Sequence, residues 1–223
     1  LFIGVPGSVG FSVATGALAV AIIKPAATTP VDGRSWLALS ADIVNGSFAG
    51  VDGLIVTVES LGVDINRGTS KAGAVVTPIA ALNWTSALDL DNDGVFGEAL
   101  QDDLAVDTGS GTPLPIAYDR ELFRATGELT IDLFGFVSGS VGFTFETRKV
   151  DGDLNYDGTR DLDEASLTLL SLSVRNVFIG VPGGVGLRVT GGSLALAILK
   201  PAAAVAPARD TRTWTAMTAT LGN

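Results

Sequence analysis

Between Asp153 and Glu164, oxygen-bearing side chains recur at a fixed spacing: Asp153, Asn155, Asp157, Thr159, Asp161 and Glu164, with Gly158 at the sixth position. Alternate residues of a short loop project to one side, so these oxygens can converge on one point. A calcium-sized hard cation takes about six to eight oxygen ligands, and such a loop supplies most of them. Gly158 permits the sharp turn, Thr159 offers its backbone carbonyl, Asp161 binds directly or through water, and Glu164 chelates with both oxygens. The spacing predicts a Ca2+ site over Asp153–Glu164.

A second acidic loop starts the same way, with Asp89, Asp91 and Asp93 before Gly94, and the carbonyl of Val95 at the seventh position. Its twelfth position is Leu100, so Glu98, Asp102 or Asp103 must supply the missing carboxylate. The Asp153–Glu164 loop resembles those of EF-hand and dockerin calcium sites, and the Asp89 loop fits that pattern only through its seventh position. Their flanks differ. Gly142–Lys149, which enters the Asp153–Glu164 loop, alternates like a strand, and Glu164–Ser166 has room for one helical turn before Leu167 resumes a strand pattern. This predicts fixed staples between β elements rather than a helix-opening sensor.

Other chemistry is sparse. The chain has no Cys and no His, which removes disulfides, thiol catalysis, the usual zinc sites and the Ser-His-Asp triad. Of 24 Asp and Glu, seven lie within 89–107 and six within 151–164, leaving 11 against 14 Lys and Arg. The net charge of −10 is therefore two local clusters on a near-neutral apolar body, a poor match to nucleic acid. The remaining carboxylates, Glu59, Asp64, Glu121, Glu128, Asp132 and Glu146, alternate with apolar residues and read as solvated strand faces. No catalytic constellation emerges, and no enzyme is expected. Mean hydropathy is +0.43, yet the apolar runs Ala17–Ile23 and Leu194–Leu199 are too short to span a bilayer as helices, so no transmembrane segment is expected.

The elements that must hold these loops read as strands. Leu54–Glu59, Glu128–Leu133 and Ser140–Glu146 alternate with period two, and Ser60–Asn66 extends the first of these. Val5-Pro6-Gly7 and Val181-Pro182-Gly183 predict type II turns. Thr15-Gly16, Gly191-Gly192, Asn45-Gly46 and Val51-Asp52-Gly53 read as breaks between strands, and Arg67–Gly73 as a loop. Ala17–Ile23 is apolar at every position, which predicts burial on both faces. Trp36 and Trp214 read as core or turn anchors.

The chain also repeats itself. Residues 1–27 match 177–203, with Phe2 on Phe178, an offset of 176. Farther on, Trp36 falls on Trp214 and Asn45 on Asn223, an offset of 178. The expected organisation is 1–45 as the last quarter of one repeat and 46–223 as a complete repeat of about 178 residues, with 179–223 equivalent to 1–45. The fold class expected is all-β: an elongated tandem-repeat architecture, either β-solenoid-like or a rod of stacked β-sheet, with calcium-binding loops.

Several phrases carry a resemblance: the duplicated block ending in SLALAILKP, SFAGVDGLIVTV at 47–58, and GELTIDLFGFVSGSVGFTFE at 127–146. They resemble units of very large secreted bacterial adhesin-like repeat proteins, often grouped with hemolysin-type calcium-binding surface proteins. The resemblance implies a secreted, cell-surface, non-enzymatic structural role. Its partners would be neighbouring repeats of the same polypeptide or fibre, with other surface proteins or glycans as further candidates. Two alternatives stay open: a β-groove conduit for lipid, and a β-helical polysaccharide-active enzyme.

Overall fold

The computed structural model describes residues 1–223 except 6, 28, 30, 182, 203–209 and 223. Among the described residues there is no helix, and the chain is all-β. Twelve strands follow in order: β1 (Phe2–Gly4), β2 (Gly10–Ile23), β3 (Arg34–Ala49), β4 (Leu54–Ala72), β5 (Val75–Ile79), β6 (Ala105–Val106), β7 (Leu114–Pro115), β8 (Leu122–Leu133), β9 (Val137–Gly152), β10 (Leu162–Gly180), β11 (Gly186–Lys200) and β12 (Trp214–Gly222). Ten form one antiparallel sheet in the order β1-β2-β3-β4-β8-β9-β10-β11-β12, with β5 also on β4; β6 and β7 pair separately. The neighbours are mostly consecutive hairpin strands. That is meander connectivity, the outcome of Gly-rich reversals between long alternating runs.

The two end blocks fold alike. β1 lies on β2 with Phe2 opposite Ser12 and Gly4 opposite Gly10; 176 residues on, Phe178 lies opposite Arg188 and Gly180 opposite Gly186. Both turns close with the same bonds. Ser8 N–H donates to the Val5 carbonyl at 2.9 Å and Gly184 N–H to the Val181 carbonyl at 2.9 Å. Gly7 and Gly183 have φ of 75° and 73°, the value a type II turn needs after its first central residue. Pro6 and Pro182 lie outside the described residues. In each copy the facing glycine leaves room for a ring: a Cβ on Gly10 would meet the Phe2 ring, and one on Gly186 the Phe178 ring.

Farther on, Arg34 pairs with Asp32 and lies over the Trp36 ring at 5.4 Å, while Arg212 pairs with Asp210 and lies over Trp214 at 5.1 Å. The match of Asn45 with Asn223 cannot be followed, because residue 223 lies outside the described residues.

Several local expectations need correction. Thr15-Gly16 and Gly191-Gly192 do not end strands: β2 and β11 run straight through them. The glycines serve close approach instead, since a Cβ at Gly16 would lie 3.1 Å from the Asp42 carbonyl and one at Gly192 3.1 Å from that of Thr220. Asn45-Gly46 is also inside a strand, β3, with Asn45 at a φ of 57°. Arg67–Ala72 is not a loop but the end of β4, where β5 pairs with it and Pro78 sits opposite Thr69 on the outer strand, the position a sheet tolerates for proline. Ala17–Ile23 is buried on one face only. Ala19 is fully buried, but Leu18 and Ile22 are each 58% exposed, because no layer covers that side.

The chain divides into two compact units, 1–16 with 42–62 and 125–223, and 17–41 with 63–124. The first is dominated by the β9–β12 ladders. The second holds the principal core. There Ala19 and Ala38 on the strands meet Trp84 and Ile116 from the segment 80–118, with Leu82, Leu104 and Tyr118 packed around them. This segment, which carries the first acidic loop and the β6–β7 ribbon, acts as a cap on the small-residue strip of β2 and β3.

Candidate metal centres

The first acidic loop hangs from the cap. Trp84, the largest fully buried side chain, anchors it. Its indole N–H donates to Asn66 Oδ1 at 2.9 Å, and Asn66 Nδ2 donates to the carbonyls of Leu82 (2.9 Å) and Arg120 (2.7 Å). Asn66, on β4, thus ties both ends of the cap. Beside it, Tyr118 donates its hydroxyl to Asp64 at 2.6 Å, and Arg124 binds the other Asp64 oxygen at 2.8 Å. Asp64 is therefore not the solvated strand carboxylate expected. Burial, and next the hydrogen bond to Asp64, push the Tyr118 phenol well above its ordinary range.

The expected donors of this loop come together. Carboxylate oxygens of Asp89, Asp91 and Asp102 lie within 4.8 Å of one another, and so do those of Asp91, Asp93 and Glu98. Asp102 is buried and accepts the N–H of Leu90 at 2.6 Å and of Glu98 at 3.0 Å. These backbone donors hold its carboxyl below the ordinary value, against the opposing effect of burial. Asp89 accepts from Asp93 and Gly94, and Asp93 from Val95 at 2.8 Å. Gly94, at a φ of 92°, makes the bend. Two overlapping groups of carboxylates, with Val95 at the carbonyl position of the pattern, are a donor set of the kind a hard divalent cation takes. Position twelve, Leu100, brings no carboxylate, while Glu98 and Asp102, within the cap, each lie in one of the two groups.

The second loop is arranged differently from its sequence pattern. Asp153 accepts the N–H groups of Asn155 (3.2 Å), Tyr156 (2.7 Å) and Gly158 (2.9 Å). Asp157 accepts from the Thr159 hydroxyl and, at 2.8 Å, from its N–H, while Asn155 Nδ2 reaches Asp157 at 3.0 Å. Asp161 accepts from Leu154 N–H at 2.7 Å. These bonds hold the turns of the loop, but among the described residues Asp153, Asp157 and Asp161 join no group of three carboxylates within 4.8 Å. The bonds depress two carboxyls: the Gly158 N–H is the largest cause at Asp153, the Thr159 hydroxyl at Asp157.

Glu164 does not join this set. Its carboxylate lies within 4.8 Å of those of Asp151 and Asp163 instead, a group with no place in the twelve-residue pattern. The cause is the exit. The expected helical turn at Glu164–Ser166 is strand β10, which begins at buried Leu162 and bulges before buried Ala165. A helix would fold the twelfth residue back over the loop, whereas a strand carries it outward. Glu164 takes a φ of 52°, its N–H donates to Asp151, and Arg160 bridges Asp151 and Asp163. The Glu164 N–H, then Arg160, holds the Asp151 carboxyl below its ordinary value.

The roles of Asn66, Trp84 and Tyr118 escaped the sequence reading, and Asp64 was read as a solvated strand face. A lone Asn at an inward position of an alternating strand was the only signal available. No long apolar helix able to cross a membrane occurs among the described residues. Comparison of this chain with protein-family models, with curated proteins and with solved structures finds no match.

Proposed function

We propose that this chain is a structural unit of a secreted, calcium-stabilised β assembly at a cell surface, a fibre, stalk or adhesin, in which successive units extend one sheet. The observation that carries the reading is the duplicated hairpin: two segments 176 residues apart share one strand register, one set of turn hydrogen bonds and one ring-over-glycine contact. Such fidelity over a long separation is what a repeated structural module requires, and a catalytic site does not. A second feature supports it. Large apolar side chains such as Leu18, Ile55, Leu187 and Met217 are more than half exposed on sheet faces, a pattern that marks surfaces built to be covered.

In this reading the acidic loops are Ca2+ staples, and the partners are neighbouring units of the same polypeptide or fibre, with surface proteins and glycans beyond them. The test is the native polypeptide. Its intact mass and its image by electron microscopy should show several units in an extended particle. A compact native protein of about one unit sinks the proposal.

A further inference from the structure

The duplication leaves one surface in two states. In the second unit, the strip formed by Ala19, Ala21, Ile23, Trp36 and Ala38 lies under the cap, and Ala19 and Ala38 are fully buried. At offsets of 176 and 178 the same positions on β11 and β12 are Ala195, Ala197, Leu199, Trp214 and Ala216. Only Ile23 differs, as Leu199. The strand register places these residues on one face, with Ala197 opposite Ala216 and Leu199 opposite Trp214. Here, among the described residues, no cap lies over them: Ala195 and Ala216 are exposed, Ala197, Leu199 and Trp214 are partly buried, and the three alanines line an open groove of about 530 Å3 with Leu169 and Thr218.

The polar fittings are duplicated as well. Under the cap, Trp36 Nε1 donates to the Ala80 carbonyl at 3.1 Å, the Leu39 carbonyl accepts the Tyr118 hydroxyl at 3.2 Å, and the Ser40 hydroxyl donates to Asp64 at 3.2 Å. The corresponding groups are the Trp214 indole N–H, the Met217 carbonyl and the Thr218 hydroxyl. Each offers the same donor or acceptor at the same register position, and among the described residues the Trp214 N–H has no acceptor.

We propose that the β11–β12 strip is the seat of a second strand-and-cap segment with the chemistry of residues 46–124, one that adds a strand along β12 and lays a Trp84-like side chain on Ala195 and Ala216. The occupant follows from the molecule itself, because an equivalent strip carries that segment. The strand is part of it, since the cap is held through Asn66 of β4, bonded to Leu82 and Trp84, and Asp64 of β4, bonded to Tyr118. The inference rests on reading the chain as a repeating unit, and adds which surface each unit offers the next and what fills it.

The test extends the full chain at its C-terminus with a second copy of 46–124. Hydrogen exchange at β12 amides reports strand addition, and acrylamide quenching of tryptophan, read as the difference between the extended and the unextended chain, reports docking of the appended Trp84. The expected result is at least tenfold slower exchange in β12 and an appended Trp shielded from quencher. Ala195→Glu should leave the melting of the unextended chain unchanged, because Ala195 is exposed there, and should return the appended Trp to solvent. Slowed β12 exchange with a quencher-accessible Trp, or docking indifferent to Ala195→Glu, overturns the seat while leaving the repeat reading in place. No protection of β12 and no shielding of the Trp overturns both.

Discussion

Asn66 is a fully buried amide whose oxygen and nitrogen are both engaged, by an indole N–H and by two carbonyls. Removing it strands three polar groups away from water, and unpaired buried groups are costlier than the net value of a hydrogen bond. Asn66→Ala should therefore destabilise the protein by about 3 kcal/mol, seen in denaturant unfolding; a midpoint like that of the parent would contradict the clamp. Tyr118 adds a pH dependence. Its folded pKa is raised, so the fold favours the neutral phenol. That contribution is intact below the ordinary value of 10.0 and is lost as pH climbs from there toward the raised pKa. Thermal melts should fall above pH 10, and Tyr118→Phe, at a cost of about 1 kcal/mol near neutrality, should flatten that fall. An unchanged alkaline profile in Tyr118→Phe would remove the argument.

At the scale of the elements, the two acidic loops show what a motif conveys. The turns Asp89–Gly94 and Asp153–Gly158 were legible because a tight loop must satisfy its own amides with carboxylates spaced two apart, and in both the glycine N–H donates to the first Asp. The twelfth ligand was not legible, because its direction depends on whether a helix or a strand follows. Melting with and without chelator tests both loops: Ca2+ at a hundredfold excess over its Kd should add about 2.7 kcal/mol per site. Asp91→Asn, at the overlap of two carboxylate groups, should remove most of the first loop's share, and Asp157→Ala most of the second's. Melts indifferent to chelator would exclude both.

Strands were legible as alternation, but not their lengths. Glycine in Thr15-Gly16 and Gly191-Gly192 marks close backbone approach as readily as a turn, and only neighbouring strands decide which.

At the scale of the whole molecule, both ends of the sheet order are open. β1 pairs only with Gly10–Ser12 of β2, so among the described residues no strand lies outside Ala14–Ile23, and none lies outside β12. Open edges with exposed apolar side chains pair with other strands. The 223-residue chain alone should self-associate in sedimentation, and Val20→Lys with Met217→Lys should shift it toward monomer, since charges on edge strands block such pairing. A monodisperse monomer without those substitutions would argue for an independent globular domain.

The meander carries a mechanical consequence. Hydrogen bonds in an antiparallel sheet point across the strands, along the direction in which strands are added. Tension applied in that direction loads the rungs end-on, and a strand peels away from its last few bonds rather than shearing all of them together. Each peeled strand then releases slack: the 19 residues of β10 would yield about 65 Å of extended chain. A tether of such units would stretch stepwise under load instead of snapping. The acidic loop between β9 and β10, once it holds a cation, would decide which hairpin yields last. Single-molecule pulling with and without Ca2+ would read this directly, as a change in the force of the longest step.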